Sequence, residues 1–256
     1  MSDYYKPHRN PNWNYGGDRF RLSRSKLDLF CECPRCFYVD NKLGTARPPG
    51  YPFALNSAVD HLLKKEFDTY RAKKIAHPIM KQYGVDAIPF EHEDLDEWRE
   101  NFKGVRCEHK KTGLSLSGAV DDVWVNPEGE LIVVDYKSTS KNEKIEELNE
   151  DWHRGYKRQM EIYQWLLRQK GFKVSNTGYF VYANASKNEK AFDGQLLFDL
   201  TLIAYEGDDS WIEQSLIDAK NCLDGDKIPA VGKDCDYCTY RKAVRDVLEE
   251  HKNSKQ

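Results

Sequence analysis

The sequence predicts an α/β fold, and three observations predict it. A continuous apolar run at 131–134 leads into Asp135-Tyr136-Lys137-Ser138-Thr139, the pattern of a strand buried on both faces. A second strand candidate at 114–125 joins it through Asn126-Pro127-Glu128-Gly129-Glu130, a Pro- and Gly-containing hairpin connection. A helix with a wide apolar face at 156–168 comes next, so helices and strands alternate along the chain.

In chain order, residues 1–20 are rich in Asn, Pro, Gly and aromatic side chains without periodicity, and read as an irregular arm packed through Trp13 and Tyr15. Ser23 or Ser25 caps a short helix that carries Leu27, Leu29 and Phe30 into Cys31-Glu32-Cys33-Pro34-Arg35-Cys36. Pro34 stiffens the backbone between two sulfurs, and Cys33-x-x-Cys36 has the spacing of a metal-binding turn. Beyond a Gly/Pro loop at 44–52, residues 53–67 form an amphipathic helix with Leu55, Val59, Leu62, Leu63, Glu66 and Phe67 at near-helical spacing. Glu91-His92-Glu93-Asp94 reads as a solvated helix start, where acidic residues are favoured, and 105–111 as an edge strand bearing the lone Cys107.

Side chains alternate along a strand, so Leu131, Val133, Asp135 and Lys137 share one face and Ile132, Val134 and Tyr136 the other. Pairing with the preceding strand brings Asp121 or Asp122 near Asp135; strand parity alone does not choose between them. On the helix that follows, Gln159 and Tyr163 stand four apart and stack on one side, and Gly171 supplies the stop. Strands at 174–183 and 195–205 come next, then a helix opened by Ser210 with Glu213 three residues on, a capping-box pattern, running towards a buried Cys222. Cys235-x-x-Cys238 near the C-terminus completes a two-plus-two set with Cys33 and Cys36, which suits tetrahedral Zn²⁺ and a cubic iron–sulfur cluster equally. Such a metal would join segments nearly 200 residues apart as a structural staple.

Composition narrows the function classes. The 39% hydrophobic residues and abundant aromatics suffice for a sizeable core, and a net charge of −3 excludes a strongly basic nucleic-acid coat while leaving room for a local basic channel. No stretch has the length and apolarity of a signal sequence or a membrane span, so a cytoplasmic protein is expected, and in that compartment seven cysteines point to metal rather than disulfides. No linker interrupts the chain, so 1–256 is expected to form one domain with a catalytic core at 53–205 and cysteine-bearing segments at 23–40 and 222–250.

Gly118-x-x-Asp121, Asp135-Tyr136-Lys137 and Gln159-x-x-x-Tyr163, in that order and with cysteine pairs at both ends, resemble the PD-(D/E)XK nuclease superfamily in its RecB-type and Cas4-like branch. The resemblance spans about residues 22–240 and implies a restriction-endonuclease-like core with a mixed sheet between the helices at 53–75 and 152–170. It also implies cleavage of DNA, on single strands or ends, with Asp121, Asp135, the Tyr136 carbonyl and Asp60 holding Mg²⁺ or Mn²⁺. In this reading Lys137 activates or positions the attacking water and Gln159 and Tyr163 hold the substrate backbone or the lysine. Two departures from the family pattern stand out. Asn56 and Asp60 replace its Gly and metal-binding His, with a His displaced to 61, and only two cysteines follow position 230 where iron–sulfur relatives carry three. No helicase motif is present, so a helicase, repair or CRISPR partner would be a separate chain; a non-catalytic binding or assembly module on the same scaffold is the competing expectation.

Overall fold

The apolar patterning becomes discrete elements in the computed structural model, which describes residue 6, residues 8–50 and residues 54–254. β1 (Leu22–Ser23) leads into α1 (Arg24–Glu32) and α2 (Pro34–Asn41), followed by α3 (Ala54–Lys73), α4 (Pro78–Gln82), β2 (Ile88–Pro89) and α5 (Leu95–Arg99). Four strands come next: β3 (Val105–His109), β4 (Leu114–Gly118), β5 (Asp122–Val125) and β6 (Leu131–Thr139). Then α6 (Arg154–Gln169), β7 (Thr177–Ala185), β8 (Phe198–Glu206), α7 (Trp211–Asp224) and α8 (Asp236–Asn253) complete the chain. Phe53, the expected first residue of the α3 helix, and arm residues 1–5 and 7 lie outside the described residues. Among the described residues no helix is long and apolar enough to cross a membrane.

These elements fall into two compact units. One comprises the described residues up to 50, residues 109–114 and the residues from 213 onward; the other comprises residues 54–108 and 115–212. The second holds a five-stranded mixed sheet in the order β2-β5-β6-β7-β8, antiparallel throughout except for the parallel pair β6–β7. A parallel pair needs a crossover, and α6 supplies it. β6 lies at the centre, with its first six residues buried.

The strand expected at 114–125 is in fact two. β4 ends at Gly118, the Val120 N–H is spent on the Trp98 carbonyl at 3.0 Å, and the chain re-enters the sheet only at Asp122. The break accompanies a close backbone approach. Gly104, at φ +66°, lies so near Gly118 that a Cβ on it would stand 2.5 Å from the Gly118 carbonyl.

One sheet face packs on α3. Ile132, Val134 and Tyr136 from β6 and Trp124 from β5 form a core with Leu63 and Phe67 of α3 and Ile79 and Met80 of α4. The Phe67 ring stacks on Trp124 at 5.5 Å, and burying each such side chain contributes roughly 1.5–3 kcal/mol. The helix buries a row of three residues spaced four apart, Leu63, Phe67 and Arg71, whereas Leu55 and Leu62, expected on the apolar face, are 56% and 62% exposed. α6 is buried without interruption from Gln159 to Leu167, and Gly178 of β7 lets it approach: a Cβ there would meet the Met160 sulfur at 2.4 Å.

In the first unit, Ser23 caps α1 by accepting from the Lys26 N–H, as one of the two alternatives expected. Tyr15 packs edge-on against Phe20 and hydrogen-bonds Asp224 and Lys220, but Trp13, expected to pack, is 45% exposed. Glu213 does not close a capping box. Its carboxylate accepts instead from His109 at 3.0 Å and Lys111 at 3.3 Å, a stronger, charge-assisted use.

Candidate active site

The β5–β6 hairpin fixes the geometry. Its register pairs Asp122 with Val134, so extending it by one residue sets Asp121 opposite Asp135. Alternation then sends the adjacent aspartates to different places. Asp121 Oδ2 accepts the Tyr136 N–H at 2.9 Å. Asp122 is fully buried and accepts from Arg71, Arg99 and the Tyr136 hydroxyl, so it is an anchor within the protein and Asp121 is the residue beside Asp135.

Asp135 is fully buried at the core of the site. Gln159 donates to its Oδ1 at 2.7 Å, and the Lys137 ammonium, two residues on along the same face, pairs with its Oδ2. Gln159 also reaches the Tyr163 hydroxyl at 3.0 Å, so the pair stacked four apart on α6 meets the strand. Burial pushes the Asp135 carboxyl up to about 7, with Lys137 opposing the rise and Asp121 adding to it. Burial pulls the Lys137 amine down, but Asp135 and Asp121 outweigh it and hold its pKa above the ordinary value.

Asp60 joins from α3, its carboxyl raised by burial and by Asp121. Asn56, one turn earlier, donates to the Ser138 carbonyl at 2.7 Å and ties the helix to the end of β6. His61, the next residue after Asp60 on α3, is exposed. Two participants escaped the sequence reading. Lys64 lies 2.9 Å from Asp60 Oδ2 and 3.4 Å from Asp121 Oδ1; its signal was the spacing of four from Asp60. The Tyr156 ring lies under the Lys137 ammonium at 4.5 Å; its signal was the place one turn before Gln159.

The donor chemistry fits a divalent cation. Asp60, Asp121 and Asp135 offer hard oxygens, and against Lys64 and Lys137 they leave one negative charge uncompensated around a carboxyl that burial already disfavours as an anion.

Cys33, Cys36, Cys235 and Cys238 gather in the first unit with all four sulfurs within 4.8 Å of one another, a cluster able to hold a metal ion. Cys33 ends α1 and caps α2 in an extended conformation, which aims its thiol back over the Cys36 N–H. Burial pushes the Cys33 thiol up, but the Gly232 and Cys36 N–H groups and the neighbouring sulfurs outweigh it and bring it down to about 7. The Arg47 guanidinium donates to Cys235 at 3.2 Å. Cys31 is exposed and stands outside the cluster, as do Cys107 and Cys222.

No curated protein matches the chain. Among solved structures it is similar to one described as "Crystal structure of SSO0001", at 14% identity over 78% of this chain and 74% of that one, with a TM-score of 0.33, a likeness too slight to bear on function. A profile of the PD-(D/E)XK nuclease superfamily matches residues 21–243, a span that holds the three carboxylates, both lysines, Gln159, Tyr163 and all four clustered cysteines, and the chain belongs to that superfamily.

Proposed function

We propose that the chain is a metal-dependent deoxyribonuclease of the RecB-type and Cas4-like branch, exonuclease-like on single strands or ends and acting in the cytoplasm. The observation that carries this reading is the convergence of Asp121, Asp135 and Lys137 at the end of β6, with Asp60 facing them from α3. Asp121, Asp135, Asp60 and the Tyr136 carbonyl would hold Mg²⁺ or Mn²⁺, which when bound supplies Lewis acidity towards the phosphate and a bound water of lowered pKa. Lys137, steadied by Asp135 and the Tyr156 face, orients the water and offsets charge on the phosphate. Gln159 fixes Asp135 in one orientation, and Tyr163 fixes Gln159.

At the cysteines we propose a single Zn²⁺. A tetrahedron with Zn–S of about 2.3 Å sets sulfurs roughly 3.8 Å apart, close to the 3.5, 3.6 and 3.9 Å separations here. A cubic [4Fe-4S] cluster interposes irons and sulfides and needs the thiolates farther apart. Metal analysis giving zinc, without absorbance near 400 nm, checks this assignment.

The activity is tested with 5′- and 3′-labelled single- and double-stranded DNA, and RNA, in Mg²⁺ or Mn²⁺, comparing wild type with Asp135→Ala and Lys137→Ala. Shortening of single strands from an end by wild type alone is expected; equal activity in all three proteins rejects the assignment. A second reading, a non-catalytic nucleic-acid-binding module, draws on the ammonium of Lys64 seated on Asp60 and Asp121, and binding without cleavage under every condition selects it. Any helicase, repair or CRISPR partner would be found by co-purification with the intact chain.

A further inference from the structure

The two lysines of the site divide its carboxylates between them. Lys137 is committed to Asp135, and Lys64 bridges Asp60 and Asp121, contacting one oxygen of each at 2.9 and 3.4 Å. Lys64 is four-fifths covered, and its stem rises from α3 one turn after Asp60, so its ammonium is held at this pair by the helix itself. Asp60 stands 34% exposed and Asp121 21%, so water screens their mutual repulsion only in part and the lysine offsets the rest.

Resting on the divalent-metal reading above, and narrowing its ligand set, we propose that Lys64 is a resident monovalent cation that takes the place of a second divalent ion between Asp60 and Asp121, so that Asp60 is engaged by the lysine and the site binds one divalent ion, on Asp121, Asp135 and the Tyr136 carbonyl. Charge supports it. Asp60, Asp121 and Asp135 with Lys64 and Lys137 sum to −1; one divalent ion brings the cluster to +1, and a second would bring it to +3. Without Lys64 the same sequence runs −2, 0, +2, so removing this one amine makes the second ion tolerable. Geometry supports it too, because the ammonium already stands between the two carboxylates, contacting Asp60 Oδ2 and Asp121 Oδ1. An ammonium neutralises and donates hydrogen bonds but takes no water ligand, so in this arrangement the attacking water belongs to the Lys137 side of the site.

The test counts Mn²⁺ bound by the full chain, cysteine site loaded, from the electron paramagnetic resonance of the free ion, taking Asp121→Ala as the background because Asp121 is shared by both positions. One ion above that background is expected in wild type and in Lys64→Arg, and two in Lys64→Met, with Lys64→Gln as the substitute should the methionine variant fail to fold. Two ions in wild type or in Lys64→Arg, or one in the uncharged variant, overturns the proposal while leaving the metal site standing. No ion above background in any of them overturns the metal reading itself, and the proposal with it.

Discussion

Asp122 offers the sharpest test of how the site is held. Its carboxylate, fully buried, accepts from Arg71 at 2.5 Å, Arg99 at 2.7 Å, the Tyr136 hydroxyl at 2.7 Å and the Val123 N–H at 2.8 Å. Asp122→Ala removes the acceptor that α3, α5 and β6 have in common and leaves two nearly buried guanidiniums behind. Removing one partner of a buried ion pair costs about 3–5 kcal/mol. Part is recovered, because both arginines retain Asp68, whose side chain is 47% exposed, and Arg71 retains the Phe90 carbonyl at 3.1 Å. A net loss of about 3 kcal/mol lowers the melting temperature of a chain of this size by roughly 6–12 °C. Differential scanning fluorimetry of wild type, Asp122→Ala and Asp122→Asn, all with the cysteine site loaded, reads it. Asp122→Asn, which keeps an oxygen for one guanidinium, is expected between the other two. A shift under 2 °C for Asp122→Ala refutes the claim that Asp122, and not Asp121, is the anchoring aspartate of the pair.

Three other outcomes follow from local physics. Gly104→Ala puts a Cβ 2.5 Å from the Gly118 backbone at φ +66°, and a loss of more than about 2 kcal/mol is expected from clash and strain together, read as a lower urea midpoint. Burial, with Arg9 adding to it, depresses Lys26 from 10.5 to about 8, so the folded chain binds fewer protons than the unfolded chain between those values and stability rises with pH across that window. Lys26→Met is therefore expected to stabilise the protein at pH 7 by about 1–3 kcal/mol, an advantage that shrinks between pH 8 and 10.5 in thermal melts; a pH-independent difference contradicts it. Cys33→Ser removes the thiol that receives the Gly232 and Cys36 N–H groups, and purified variant is expected to carry less than a tenth of the wild-type metal by mass spectrometry, with earlier proteolysis near residues 33–36 and 235–238.

Much of this arrangement was written in local pattern. The run at 131–134 carries the mark of a strand buried on both faces, and two-residue periodicity groups Ile132, Val134 and Tyr136 on the face that meets α3. The cysteine pairs were legible because a metal ligand set is a spacing code, and the four sulfurs do converge. What stayed hidden was decided by partners distant in sequence. Parity could not separate Asp121 from Asp122, since the choice depends on Arg71 and Arg99, both outside the strand. The interruption between β4 and β5 coincides with the close approach of Gly104 to Gly118, which no pattern within 114–125 reveals. Glu213 matches a capping-box spacing but meets His109 and Lys111, hydrogen-bonding competitors distant in sequence.

Lys64 shows why the candidate site is harder to read than the fold. On a helical wheel it is one more lysine on a charged helix, and the row that packs, Leu63, Phe67 and Arg71, lies beside it. Its meaning comes from Asp121, which reaches it only because the hairpin register sets Asp121 across from Asp135 while Asn56 ties the start of α3 to Ser138. The same register accounts for the uneven charge around Asp135. A carboxyl that burial holds near 7 receives one lysine along its own strand, while the second lysine is retained by the helix carboxylate. The uncompensated negative charge therefore falls on Asp121, which shares Lys64 with Asp60 while Asp135 has Lys137 to itself, and it is beside Asp121 that an added cation relieves the most.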